Sequence, residues 1–374
     1  YRRQRQMCIR DRSKNKGLQI ISAIVFVVVY CVYSASSISA CGTLFNTVTG
    51  MSAKTAMIIA TAIILVYVFL GGFNAVCWTD FFQGLLMLGS LFAAPIVALC
   101  MMQKSGTTAG TLPAGYWNMM TSWQDILSGL GWGLGYAGMP HIIIRFMSLK
   151  SEKELRKSSV IGISWTTIIL IMSALTAIAG RLYLGEIEDS STVFITMVRR
   201  IFPALVSGLL LSAILSAAMS TADSQLLAAS SAFASDVYKP VIRKKASDSE
   251  MLWAGRIVVI VIAIVALFIA SDPNSGSIMG LVENAWGVFG AAFGPVILLS
   301  LFWKRLTFGG TVAGIAVGAA VDILWLVFLS STDIYEIVPG FAAGLLAAVV
   351  VSLLSKGPGK DVEDLFDRAV DLKS

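Results

Sequence analysis

Ten runs of apolar residues, each near the length that crosses a bilayer, bound what this chain can fold into. They lie at about 17–46, 53–72, 77–102, 126–148, 158–180, 203–233, 252–271, 278–303, 309–331 and 338–355. A spanning helix needs about 20 apolar residues. No soluble core hides ten such segments. Composition agrees: 56% of residues are hydrophobic and 13% charged, against about 25% charged in a soluble domain. The sequence lacks the alternating ten-residue strands of an outer-membrane barrel. The expected fold is therefore an all-α polytopic membrane protein.

The charges fall in the loops. One set holds Arg12, Lys14 and Lys16, then Lys150 to Lys157, Lys239 to Lys245, Lys304 with Arg305, and Lys356 with Lys360. The opposite set is poorer in Lys and Arg, so the first set is expected in the cytoplasm. Ten helices then place both ends of the chain inside, in the plasma (inner) membrane. The net charge of +6 follows from this topology and is no nucleic-acid signal. The chain divides into a basic arm at 1–16, a transmembrane domain at 17–355 and a polar cytoplasmic tail at 356–374. The opening "YRRQRQMCIRDR" has no signal-peptide pattern. It reads as a basic arm or as translated adapter sequence.

Other chemistries find little support. Cys8, Cys31, Cys41, Cys77 and Cys100 show no metal-ligand spacing and read as small apolar residues. One histidine, His141, excludes a multi-histidine zinc site. No nucleophile is paired with a base, so no enzyme is expected.

The informative residues are the polar ones at membrane depth. "ILSAAMSTADSQLL" at 214–227 places Ser216, Ser220, Asp223 and Ser224 on one helix face, with Thr221 on its shoulder. Small and hydroxyl residues are also how membrane helices pack. A carboxylate costs about 2.5–3.5 kcal/mol at the helix centre, and packing does not require it. A hard monovalent cation, which wants several oxygens, explains it better.

A second stretch, "GLGWGLGYAGMPHIIIRF" at 129–146, holds five glycines and Pro140 in an apolar run. Proline and glycine break helices. Freed backbone is tolerated at depth only against protein or a wet cavity. The readings are a glycine-packed kink or a discontinuous helix at a substrate site. Trp132 and Tyr136 border it; His141 and Arg145 read as structural, or as an arginine snorkelling to the interface. A third stretch, "GGFNAVCWTDFFQG" at 71–84, reads as a tight cytoplasmic hairpin. Its Asp80 either complements a helix N-terminus or supplies a second cation ligand. "ENAWGVFGAAFGPVIL" suggests a bent helix, and Asp322 is an intramembrane carboxylate without an obvious partner.

Together "GWGLGYAGMPHIIIRFM", "AILSAAMSTADSQLLAASSAFASDVYK", "AWGVFGAAFGPVILLSLFWKR", "CWTD" and "YEIVPGFAAGLL" resemble the sodium:solute symporter family across residues 17–355. Within it the likeness is greatest to members that carry proline. The resemblance implies an inverted five-plus-five helix repeat with Na⁺ as coupling ion. It implies a small-molecule substrate, L-proline, taken up by alternating access, with no protein partner. A Na⁺ site then falls on the Ala217 carbonyl and the Ser220 and Thr221 hydroxyls. A possible second cation site falls on Asp80, Ser220, Asp223 and Ser224. Substrate positions fall on Tyr33, Trp132, Tyr136 and Pro140.

Two departures from the pattern matter. Met139 stands where proline carriers have glutamine, so another amino acid, a monocarboxylate, a vitamin or a sugar is the alternative substrate. The family's first three helices, including a broken one that completes both sites, precede the helix at 17–46. By that comparison residues 1–374 alone are expected not to transport, and a non-functional truncated fragment is the further alternative.

Overall fold

The computed structural model describes residues 16–371 except 107, 119–121, 148 and 150. The arm at 1–16 lies outside the described residues apart from Lys16. Every regular element among the described residues is helical. In chain order they are α1 (Lys16–Thr49), α2 (Ala53–Ser105), α3 (Trp123–Gly135), α4 (Pro140–Met147), α5 (Glu152–Leu184), α6 (Val193–Ile201), α7 (Ala204–Ala232), α8 (Asp248–Ser271), α9 (Ile278–Phe302), α10 (Phe308–Phe328), α11 (Ile337–Leu354) and α12 (Lys360–Asp371).

Local chemistry sets many of the helix starts. The hydroxyls of Ser52, Ser122, Ser277 and Thr307 each accept a first-turn backbone N–H, which satisfies a donor the helix leaves open. Ser247 and Glu250 form a reciprocal capping box at α8. Beyond Ala232 the ladder of α7 widens into a π-type stretch at Phe233–Ile242 that carries Pro240. A wider turn accommodates the missing proline N–H.

Among the described residues, eight helical segments are long and apolar enough to cross a membrane: Gln19–Thr49, Ala75–Ser105, Glu154–Leu184, Ala204–Ile242, Asp248–Ser271, Ile278–Phe302, Phe308–Phe328 and Ile337–Leu354. The other two of the ten expected spans take different forms. The run at 53–72 is the shorter apolar stretch Ala53–Val66 inside α2. The run at 126–148 is divided between α3 and α4.

The expected hairpin at 71–84 shows no gap in helical hydrogen bonding, yet α2 is not a straight rod. Near its start, Met57 packs against Gly42 of α1. Near its end, Ala94 and Ala98 share a buried cluster with Leu44 of α1 and Val198 of α6. Arg199 donates to the Thr47 carbonyl at 2.8 Å. About forty residues of straight helix measure roughly 60 Å. The two ends of α2 can meet one end of α1 only if α2 folds back on itself.

The main core lies where α1, α7, α8, α9 and the α3–α4 junction meet. Tyr30, Phe289 and Met139 are fully buried there, and Phe26 packs edge-on against Phe289 and Phe293. Leu205, Phe268 and Phe302 are largely exposed on the outside, as a lipid-facing surface requires. Because lipid is as apolar as leucine, cohesion rests on close packing through small residues. A methyl on Gly344 would lie 3.0 Å from the carbonyl oxygens of both Ala291 and Gly314. That closeness seats α11 on α9 and α10. The tail helix α12 returns to the α9–α10 turn, where Lys304 meets Asp367 at 2.6 Å and Glu363 at 4.0 Å.

Candidate functional site

The polar stripe of α7 folds into two adjacent groups of oxygens. In the first, the Ser220 and Thr221 hydroxyls both donate to the Ala217 carbonyl, at 3.2 and 2.9 Å. Back-bonding of this kind is the local option for a hydroxyl within a helix. It gathers three oxygens into one turn. All three residues are half-buried.

One turn on, Ser224 joins α7 to two other helices. Its hydroxyl lies 3.3 Å from Asp223 Oδ1 and 3.5 Å from Asp80 Oδ2 of α2. Arg145 of α4 places one nitrogen, Nη2, 2.6 Å from both Asp80 Oδ2 and the Ser224 hydroxyl. Asp223 is fully buried, and Asp80 Oδ1 is buried without a hydrogen-bond partner. Asp80, Asp223 and Ser224, separated by up to 144 positions, thus occupy one polar junction. Ser220 sits a turn away in the first group. Asp80 lies five positions after Ala75, where the second apolar segment of the folded-back α2 begins. Arg145 makes an ion pair with Asp80 rather than snorkelling free.

The glycine-rich stretch is a helix break. α3 ends at Gly135, a turn closes with the Gly138 N–H on the Gly135 carbonyl at 2.9 Å, and α4 begins at the buried Pro140. Gly138 is packed so closely that a side chain would strike the Phe289 carbonyl of α9. Trp286 of α9 organises the aromatic side of the break. Its indole N–H donates to the Trp132 carbonyl at 3.1 Å. Its ring lies 5.7 Å from that of Trp132 and 5.0 Å, edge-on, from that of Tyr136. Tyr33 of α1 reaches the other side, 6.1 Å from the His141 ring. Tyr33 and Trp132 belong to the main core, while Tyr136 is half exposed and meets that core through Trp286.

A cavity of about 560 Å³ opens beside the break, lined by Asp80, His141, Arg145, Ser224 and Arg256 among others. None of Tyr33, Trp132 or Tyr136 lines it. The open space therefore borders the polar junction and not the three aromatic positions.

Several contributors have no distinct sequence signal. Tyr30 receives the His141 backbone N–H at 3.1 Å and sits 3.2 Å from His141 Nδ1, tying α4 to α1. This is the satisfied role expected of the histidine. Ser34 donates to Gln225 Oε1 at 3.1 Å, tying α1 to α7. Gln225 Nε2 is buried without a partner. An amide inside "STADSQ" is a readable signal of a buried polar contact; the tyrosine and Trp286 are indistinguishable in sequence from ordinary apolar helix residues.

The arrangement offers hydroxyl, carbonyl and carboxylate oxygens on one discontinuous scaffold, the donor set of a hard cation site. Comparison with known proteins identifies the chain's relatives. Residues 6–318 match the model of the sodium:solute symporter family. The chain is 41% identical to the high-affinity proline transporter PutP of Bacillus subtilis, over 98% of this chain and 79% of that protein. It is 39% identical to the osmoregulated proline transporter OpuE of the same organism, over 96% and 75%. It is 40% identical to the sodium/proline symporter of Staphylococcus aureus, over 97% and 74%. A solved structure of a Na⁺-coupled sialic acid symporter, in a substrate-bound outward-open state, superposes with a TM-score of 0.74. The match covers 91% of this chain and 75% of that one at 19% identity, which speaks to the shared fold.

Proposed function

This chain belongs to the sodium:solute symporter family, and from that premise we propose that it carries out Na⁺-coupled uptake of L-proline by alternating access. The observation that carries the reading is the polar junction on α7 beside a broken helix, in a chain about 40% identical to proline carriers. Na⁺ is the coupling ion. Its site is the Ala217 carbonyl with the Ser220 and Thr221 hydroxyls, and Asp80, Asp223 and Ser224 with Ser220 form a second cation position. The proline ring lies on the faces of Trp132, Tyr136 and Tyr33, with Pro140 marking the free backbone at the break. Na⁺ orders the break, proline fills the space beside it, and the two helical repeats rock.

The energetics suffice with one ion. A single charge crossing about 100 mV contributes about 2.3 kcal/mol. A roughly tenfold Na⁺ gradient adds about 1.4 kcal/mol. Together they sustain several-hundred-fold accumulation.

The topology that goes with this reading has ten spans, 17–355, in the plasma membrane, with the arm and the tail in the cytoplasm and the family's first three helices preceding α1. The Lys304–Asp367 contact supports placing the tail on the same side as the basic α9–α10 turn.

Met139 favours a second reading. It is fully buried beside the break, where an amide would otherwise offer hydrogen bonds, and its thioether selects for an apolar part of another solute. Uptake of labelled proline by cells expressing the intact protein tests both. Na⁺-dependent uptake that only proline suppresses supports the first. Stronger suppression by another amino acid, a monocarboxylate, a vitamin or a sugar supports the second. No Na⁺-dependent uptake of any of them removes both.

A further inference from the structure

Away from α7, the structure brings two carboxyl groups together between α9, α10 and α11. Asp322 of α10 is fully buried, and neither of its carboxyl oxygens has a hydrogen-bond partner. Glu336, the residue that opens α11, is 8% exposed, and its Oε1 is buried without a partner. The missing side chain of Gly287 on α9 makes room for both. A methyl there would lie 2.9 Å from Asp322 Oδ1 and 3.3 Å from Glu336 Oε1. The two oxygens therefore border one small space. The Trp325 indole N–H, one turn beyond Asp322, is likewise buried and unpartnered.

Among the described residues, no positive charge is set against the pair. The titratable groups set against this pair are Glu283 of α9, which acts on Glu336, and Tyr335, which feels both carboxyls. The Tyr335 hydroxyl is engaged, donating to the Glu283 carbonyl at 2.9 Å. Among the described residues, every ion pair lies elsewhere. A buried carboxylate without a donor or counter-charge takes up a proton instead of remaining charged. Two carboxyls at one site do not both ionise. The helix N-terminus favours the ionised form at Glu336.

We propose that Asp322 and Glu336 form a proton-binding dicarboxylate in which Asp322 holds the proton and Glu336 is its ionised partner. The site is separate from the cation junction on α7. It adjoins the helix break through Tyr335, whose ring is 5.4 Å from that of Trp132 and whose backbone N–H donates to the Ser128 hydroxyl of α3 at 3.0 Å. A change in its charge thus acts one residue from a contact with α3.

The test is infrared spectroscopy of the purified full chain in lipid nanodiscs at neutral pH, with and without Na⁺, which is independent of transport. A carbonyl stretch of a protonated carboxyl is expected in the wild type. It is lost in Asp322→Asn, retained in Glu336→Gln and indifferent to Na⁺. Asparagine replaces the neutral acid and glutamine the ionised one, each at nearly equal volume, and unchanged size-exclusion profiles establish that both variants are folded. Absence of the band from the wild type, its persistence in Asp322→Asn, or its loss in Glu336→Gln would overturn the assignment. Loss of the band on adding Na⁺ would also overturn it, and would make the pair a metal-ion site.

Discussion

Replacing single glycines of α3 by alanine separates two kinds of glycine that look alike in sequence. At Gly129 and Gly133 an added methyl would meet nothing within 4 Å, whereas at Gly135 it would strike the Trp286 indole, 2.6 Å from Cε2. That indole cannot swing away easily, because it is 7% exposed and held between the rings of Trp132 and Tyr136. Overpacking of this kind costs about 1–3 kcal/mol. Displacing the ring also breaks its hydrogen bond to the Trp132 carbonyl, for about 1 kcal/mol more. Alanine returns at most about 1 kcal/mol of helix preference. Gly135→Ala should therefore destabilise by about 1–3 kcal/mol, while Gly129→Ala and Gly133→Ala should stabilise by up to about 1 kcal/mol. The difference, about 2–4 kcal/mol, is a factor of roughly thirty to several hundred in a folding equilibrium. Thermal unfolding of the purified chain in nanodiscs, followed by circular dichroism and tryptophan emission, measures it. A Gly135→Ala protein as stable as Gly129→Ala, with unchanged emission, would refute the packing argument.

Further outcomes follow from the cation junction. Asp80→Asn should raise the Na⁺ concentration that half-activates uptake by the intact protein, whereas Arg145→Gln, which removes the competing guanidinium, should lower it. Movement of both in the same direction in a Na⁺ titration would count against a shared site. Ser220→Ala combined with Thr221→Ala should abolish Na⁺ activation at a cost to stability of about 1 kcal/mol or less, because the two hydroxyls bond only within their own turn; normal Na⁺ affinity in that variant would remove the assignment. Tyr30→Phe keeps the ring but strands the His141 N–H, and should destabilise by about 1–3 kcal/mol, read from the same melting curves.

How much of this is legible in the sequence depends on the range of the interaction. The helix break is readable because glycine and proline act on their own backbone, so "GLGWGLGYAGMP" carries its geometry with it. The oxygens of Ala217, Ser220 and Thr221 are readable for the same reason, being one turn of one helix. Asp80 is readable only as a conditional ligand, since its meeting with Ser224 depends on how α2 folds back. Arg145 looks like a terminal arginine because its partner lies 65 positions earlier. Asp322 stands alone in the sequence because Glu336 sits across a turn, in "YEIVPG", where it reads as a solvated loop residue. Neighbouring glycines of α3 cannot be told apart, since what distinguishes them is Trp286, far along the chain on α9.

The Arg145 side chain has a consequence for the charge at Asp80. Asp80 stands on the wall of the cavity with its Oδ1 buried and without a hydrogen-bond partner, so its carboxylate needs a positive charge close by. Here a tethered guanidinium rests on Asp80 and Ser224, so the counter-ion is part of the protein itself. At the cation junction proposed above, the same tether would compete with an arriving ion. Evolution or engineering can move that competition at one position without touching the residues that bind solute.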